Sequence, residues 1–134
     1  MRFLLDSNII AYYLNNKYES IRIKLQQAPQ CDVGVPSIVQ AELLYGACKS
    51  DRAEHNFRRL RALLSCYEIV QFDSQAAEAY GRIRVHLEKS GQPVGGNDML
   101  IAAVALANGA ALVTHNTREF ARVPNLMLVD WVQI

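Results

Sequence analysis

The chain has 134 residues, 51% of them hydrophobic and 20% charged, with a formal net charge of +1. These values suit one compact domain, residues 1–134, with a core of its own, and exclude a disordered chain. No apolar run approaches the roughly 18 residues of a membrane-spanning helix, and no apolar leader with a small-residue cleavage site opens the chain, so neither a span nor a secretory signal is expected. Cys31, Cys48 and Cys66 are odd in number, widely spaced and without a CxxC pair. That argues against a disulfide framework or a zinc site and makes a reducing cytoplasm the expected setting.

In chain order, residues 2–5 read as a short buried strand. Ser7–Leu14 reads as a helix with Ile9, Ile10, Tyr13 and Leu14 on one side, and Ser20–Gln27 as a second, stopped near Pro29. Cys31–Val35 is a β-rich strand candidate. Pro36 then opens a helix to about Cys48, with Ser37 adding capping potential. Asp51, followed by Glu54, forms a capping-box pattern before the apolar stripe Phe57, Leu60, Leu63 and Leu64. Tyr67–Phe72 reads as a third strand. Asp73 caps a helix reaching about Ser90, with Ala76, Ala77, Tyr80, Ile83 and Leu87 at helical spacing.

Gly91, Pro93, Gly95 and Gly96 make a loop. Asn97 begins a helix, Met99 to Asn108, apolar nearly all round and stopped by Gly109; it should be deeply buried. Ala110–Thr114 is a fourth strand, Thr117–Ala121 one helical turn, and Leu126–Val129 a last strand before Trp131, a terminal plug. Strands that alternate with helices predict an α/β fold: a central parallel sheet of about four to five strands, with helices on both faces.

The acids carry the chemical signal. Asp6 stands where the first strand gives way to a helix, either as the helix cap or as a reactive group; Ser7 is a second possible cap, which would free Asp6. Glu42 lies beside the apolar stripe of its helix, where a carboxylate is costly unless paired or bound. Asp98, in the first turn of the most apolar helix, has Ile101, Ala102 and Ala105 as helical neighbours and so faces inward; interaction with the helix dipole is its structural alternative. Asn116 with Glu119 forms a capping box in its own right, yet Asn116 also stands at a strand end, as Asp6 does.

Four distant segments thus bring oxygen ligands to one sheet edge, a set suited to Mg²⁺ or Mn²⁺. Such an ion activates water and offsets charge on a phosphodiester. Setting these four acids aside, 14 basic residues face 13 less 4, or 9, acidic ones, a surplus of +5. A basic exterior around an acidic pocket suits a polyanion; the same surplus also occurs on ordinary soluble surfaces. The run Arg52, Arg58, Arg59, Arg61 and the set Arg82, Arg84, Lys89 are either backbone-holding residues or solvated helix faces. His55, His86 and His115 show no HExxH-type spacing, and no P-loop, GxSxG or GxGxxG is present.

With these residues assembled, the chain resembles PIN-domain ribonucleases, specifically the VapC-type toxins of toxin–antitoxin pairs. The similarity rests on LLDSNII (4–10), VPSIVQAELLYGA (35–47), VGGNDMLIAAVALANGA (94–110) and LVTHNTREFARVPNLMLVDW (112–131), in that order along the whole chain. The resemblance implies a doubly wound sheet and a catalytic set of Asp6, Glu42, Asp98, Asn116 and Glu119, with Asp6 and Asp98 on Mg²⁺. The Asn116 position is often Asp in the family, so here it brings no charge; Asn116 then positions water and Glu119 supplies the fourth acid. Ser7 stands where the family often has Thr and keeps the hydroxyl.

Also implied are a homodimer, a VapB-type antitoxin that covers the site in a hetero-oligomer, operator DNA bound only through the antitoxin, and a structured RNA substrate, tRNA or rRNA. Two other readings stand beside this one. The chain could be a catalytically silent PIN fold that acts as a binding module, or an aspartyl phosphoryl-transfer domain; Asn8, in place of a second Asp, speaks against the latter.

Overall fold

A computed structural model describes residues 2–133. The described residues contain a five-stranded, all-parallel sheet in the order β3-β2-β1-β4-β5. The strands are β1 (Phe3–Leu5), β2 (Val33–Pro36), β3 (Glu68–Val70), β4 (Ala111–Val113) and β5 (Leu128–Val129). The helices are α1 (Ser7–Leu14), α2 (Glu19–Gln27), α3 (Ser37–Lys49), α4 (Ala53–Leu64), α5 (Ser74–Ser90), α6 (Gly96–Ala107) and the short α7 (Thr117–Phe120). None of them is long and apolar enough to cross a membrane.

The chain builds outward from β1 to β2 and β3, then returns to lay β4 and β5 on the other side of β1. Right-handed crossovers therefore put α1–α4 on one face and α5–α7 on the other. The reversal falls between β1 and β4, whose register pairs Leu5 with Val113. In parallel sheets this switch point opens a crevice beyond the strand ends. Asp6 and Thr114, the residues that follow the two strands, stand at its mouth.

Leu4, Leu5, Val35, Leu112 and Val113 are at most 1% exposed, which explains why these short strands are apolar on both faces. In α6, Ile101 to Ala105 are completely buried, as its all-round apolar sequence predicts. Trp131 is buried edge-on against Phe3, at 5.4 Å between centroids, and so plugs the sheet as expected. Asp73 caps α5 by accepting from the Ala76 N–H at 3.0 Å, and Gly91 ends that helix in the left-handed conformation, φ 66°.

Several local expectations fail. Gln30–Asp32 forms a 3₁₀ turn, so β2 begins only at Val33. Pro36 ends that strand instead of opening the helix; lacking an N–H, it stands at the helix-cap position with extended backbone. The capping box at Asp51 does not form: Arg52 precedes α4 without a side-chain cap, and the Asn56 amide donates to Ser50 Oγ at 2.9 Å. The last strand starts at Leu128, not Leu126.

Candidate active site

Asp6 is 6% exposed and both of its carboxylate oxygens are held. Oδ1 accepts from the Ser7 N–H at 2.8 Å, and Oδ2 accepts from the Thr114 hydroxyl at 2.8 Å. Asp6, not Ser7, is thus the cap residue of α1. The two readings of Asp6 are compatible, because the capping bond fixes the carboxylate at the crevice. Burial pushes its pKa up, the Thr114 and Ser7 bonds pull it back, and the charges of Glu42 and Glu119 raise it further.

The freed Ser7 hydroxyl turns to α3 and donates to Glu42 Oε1 at 2.5 Å. Asn97, at the start of α6, presents its amide to the other oxygen at 3.4 Å. Asp98 follows on α6. Its pKa is raised from 3.8 to about 7, first by burial, then by repulsion from Glu119, Asp6 and Glu42, with a hydrogen bond to Glu119 adding to the effect. Repulsion among these groups is felt only at short range in a protein, so Asp6, Glu42, Asp98 and Glu119 converge on one crevice.

Glu119 is held differently. Oε1 accepts from the Gly95 N–H at 2.7 Å and Oε2 from the Asn116 amide at 2.8 Å. These two bonds, the Gly95 one first, hold its carboxyl below the ordinary range. The expected capping box is absent: Asn116 makes no side-chain cap and serves Glu119 instead. The backbone N–H of Asn116 is bonded to Thr114 Oγ1 at 3.0 Å. Thr114, wholly buried, therefore ties the ends of β1 and β4 together at the switch point.

Sequence reasoning missed Thr114, Gly95 and Asn97. A hydroxyl directly after a fully apolar strand was the available signal for Thr114. Gly95 lies against both acids: a Cβ there would meet Asp98 Oδ2 at 3.5 Å and Glu119 Oε1 at 3.6 Å.

Among the described residues, no three His, Cys, Asp or Glu side chains stand close enough to hold an ion between them. The neutral donors Ser7, Thr114, Asn97, Asn116 and Gly95 hold Asp6, Glu42 and Glu119 in place. This donor set fits a hard divalent cation: the acids present oxygen donors, and among the described residues no cationic side chain is paired with any of the four. Mg²⁺ needs only one or two carboxylates, with water filling the rest.

Fold and site together define a doubly wound α/β domain with an acidic crevice at its switch point. A PIN domain model matches residues 3–126. The chain is 42% identical over 132 residues to Ribonuclease VapC2 of Rickettsia felis, covering 98% of each. It is 38% identical over 133 residues to the tRNA(fMet)-specific endonuclease VapC of Shigella flexneri, again covering 98% of each. It superposes with a TM-score of 0.93 and 37% identity on a chain of the DNA-bound VapBC structure from Salmonella typhimurium, covering 98% of both. For VapBC2 of Rickettsia felis bound to a promoter DNA fragment, the TM-score is 0.89 and the identity 39%, over 98% of this chain and 99% of that one. The chain belongs to the PIN-domain family, among the VapC ribonucleases.

Proposed function

We propose that this protein is the toxin of a VapBC-type pair, a cytoplasmic, single-domain, Mg²⁺-dependent endoribonuclease that cleaves structured RNA and so arrests translation. The observation that carries this reading is the convergence of Asp6, Glu42, Asp98 and Glu119, with the Asp98 pKa pushed up to about 7 by burial first and by the neighbouring acids second. Asp6 and Asp98 are the residues that would hold the ion. When bound, the ion supplies charge neutralisation for an RNA phosphodiester and lowers the pKa of water.

The chain's own residues prepare that chemistry. Thr114 and the Ser7 N–H aim the Asp6 carboxylate. Ser7 Oγ and the Asn97 amide orient Glu42 at the crevice. Asn116 and the Gly95 N–H keep Glu119 ionised, so it acts as a fixed charge at the site while Asp98 carries the exchangeable proton. Relatives that are tRNA(fMet)-specific endonucleases favour tRNA over rRNA as the substrate. Solved VapBC complexes on DNA favour a VapB-type antitoxin, with operator DNA reached through it; the homodimer within a hetero-oligomer is carried by the family resemblance alone. The silent binding module is the less favoured reading, since all four acids are in place.

The test is mapped RNA ends after brief expression of the wild type and of Asp6→Asn, together with cleavage of purified tRNA and rRNA with and without Mg²⁺. The proposal expects discrete cuts that disappear with EDTA and in the variant. Equal cleavage by Asp6→Asn would overturn it.

A further inference from the structure

Beside the carboxylates, on the same rim of the sheet, stands a cluster that the hydrolytic chemistry does not use. His115 lies between Thr114, which holds Asp6, and Asn116, which holds Glu119. Its ring is 6.3 Å from that of Tyr12 and 6.4 Å from that of Tyr18, and the two tyrosines meet edge-on at 5.1 Å. Lys17 spans both, with Nζ 4.8 Å from the Tyr12 centroid and 5.5 Å from that of Tyr18.

The tyrosines pack their bodies against the core and so help hold the α1–α2 turn. Core packing does not account for the other two members. Lys17 is exposed, and the His115 side chain is 43% exposed. His115 Nδ1 lies 2.9 Å from Asp130 Oδ2, which fixes the plane of the ring at the surface. Three aromatic rings and a cation that share one solvent-facing corner match the chemistry with which proteins hold unpaired bases. π faces take the base and the cation takes the neighbouring phosphate.

We propose that Tyr12, Tyr18, His115 and Lys17 form a platform that stacks an unpaired base of the RNA beside the phosphodiester held at Asp6. It rests on the nuclease reading above and adds to it the feature of the substrate that is read. Helical RNA offers no free π face, so the platform selects a loop or a frayed end and presents the adjoining backbone to the acids. Because any base has a π face, stacking there is tolerant of base identity.

The experiment is fluorescence anisotropy with a labelled single-stranded hexaribonucleotide, read in the cleavage-deficient Asp6→Asn full chain. The surface variants His115→Ala and Lys17→Gln and the core-facing Tyr18→Ala are compared with Tyr18→Phe. Loss of one stacked base corresponds to roughly a 5- to 100-fold weakening. That loss is expected for His115→Ala and Tyr18→Ala, whereas Tyr18→Phe binds normally. An abasic nucleotide at the stacked position should weaken binding to the parent chain and erase the difference between parent and His115→Ala.

His115→Ala and Lys17→Gln leave the core intact, so they report even if Tyr18→Ala fails to fold. Parent-like binding by both would overturn the platform. Failure of the wild type to cleave any RNA would overturn the nuclease reading instead, while the anisotropy would still read the platform.

Discussion

Asp98 and Glu119, both against Gly95, have pKa values shifted in opposite directions. The Gly95 N–H and the Asn116 amide favour the charge on Glu119, while burial and the Glu119 charge disfavour it on Asp98. The proton on Asp98 is what a metal ion must displace.

Metal affinity should therefore fall with pH. A cation binds the ionised carboxylate, so below about pH 7 binding must first release the Asp98 proton. Calorimetry with Mg²⁺ should show weaker binding near pH 6 than near pH 8. Heats measured in buffers of different ionisation enthalpy should reveal proton release at the lower pH only.

Without metal, the same group affects folding in a defined direction. Asp98 has a folded-state pKa of about 7 against 3.8 unfolded, so the folded chain binds more protons between these values, and its stability falls as pH rises across that window. Asp98→Asn should stabilise the metal-free protein near pH 8 by about 1–2 kcal/mol after allowing for solvent screening, read as a raised melting temperature. The gain should vanish near pH 4. Glu119, with its lowered pKa, acts oppositely in both proteins, supplying stability that is lost in acid.

Thr114→Val preserves shape but removes the donor to Asp6 Oδ2 and the acceptor for the Asn116 N–H. Two groups at the crevice then lose their partners, at a cost of roughly 1–3 kcal/mol each where no water replaces them. Urea unfolding should show the loss. Mg²⁺ binding at neutral pH should weaken as well, because the Thr114 bond is the largest effect that offsets burial at Asp6.

Ser7→Ala should reduce RNA cleavage without unfolding α1, since the Asp6 cap bond to the residue 7 N–H is kept. It leaves Glu42 with only the long contact from Asn97. Loss of an orienting partner typically costs roughly 10- to 100-fold in activity. Ser7→Thr, which restores the hydroxyl, should recover most of the rate in the same cleavage assay.

Much of this molecule was legible along the chain. The apolar runs at residues 3–5 and 111–113 predict buried parallel strands, and residues 96–107 predict a buried helix, because burial on all sides leaves an unbroken apolar stretch. The acids were legible for the converse reason: Glu42 and Asp98 sit against apolar neighbours, where a carboxylate needs a purpose. Less legible were the caps. Asp51 and Asn116 follow good local patterns, yet local hydrogen bonds compete with distant ones: Glu119 turns to the distant Gly95 N–H, and the Asn116 amide donates to its other oxygen instead of capping the helix.

By itself, then, the sequence determined which segments are buried, which class of fold they build and which four acids demand explanation, since periodicity and composition report burial directly. Only the tertiary structure decided that Asp6 both caps its helix and stands in the crevice, that Thr114 ties two strand ends together, and that the Asp98 pKa is raised while that of Glu119 is lowered. The physical reason is that these outcomes depend on hydrogen bonds and charge repulsion between groups brought together by strand order, and strand order leaves no periodic trace in the chain.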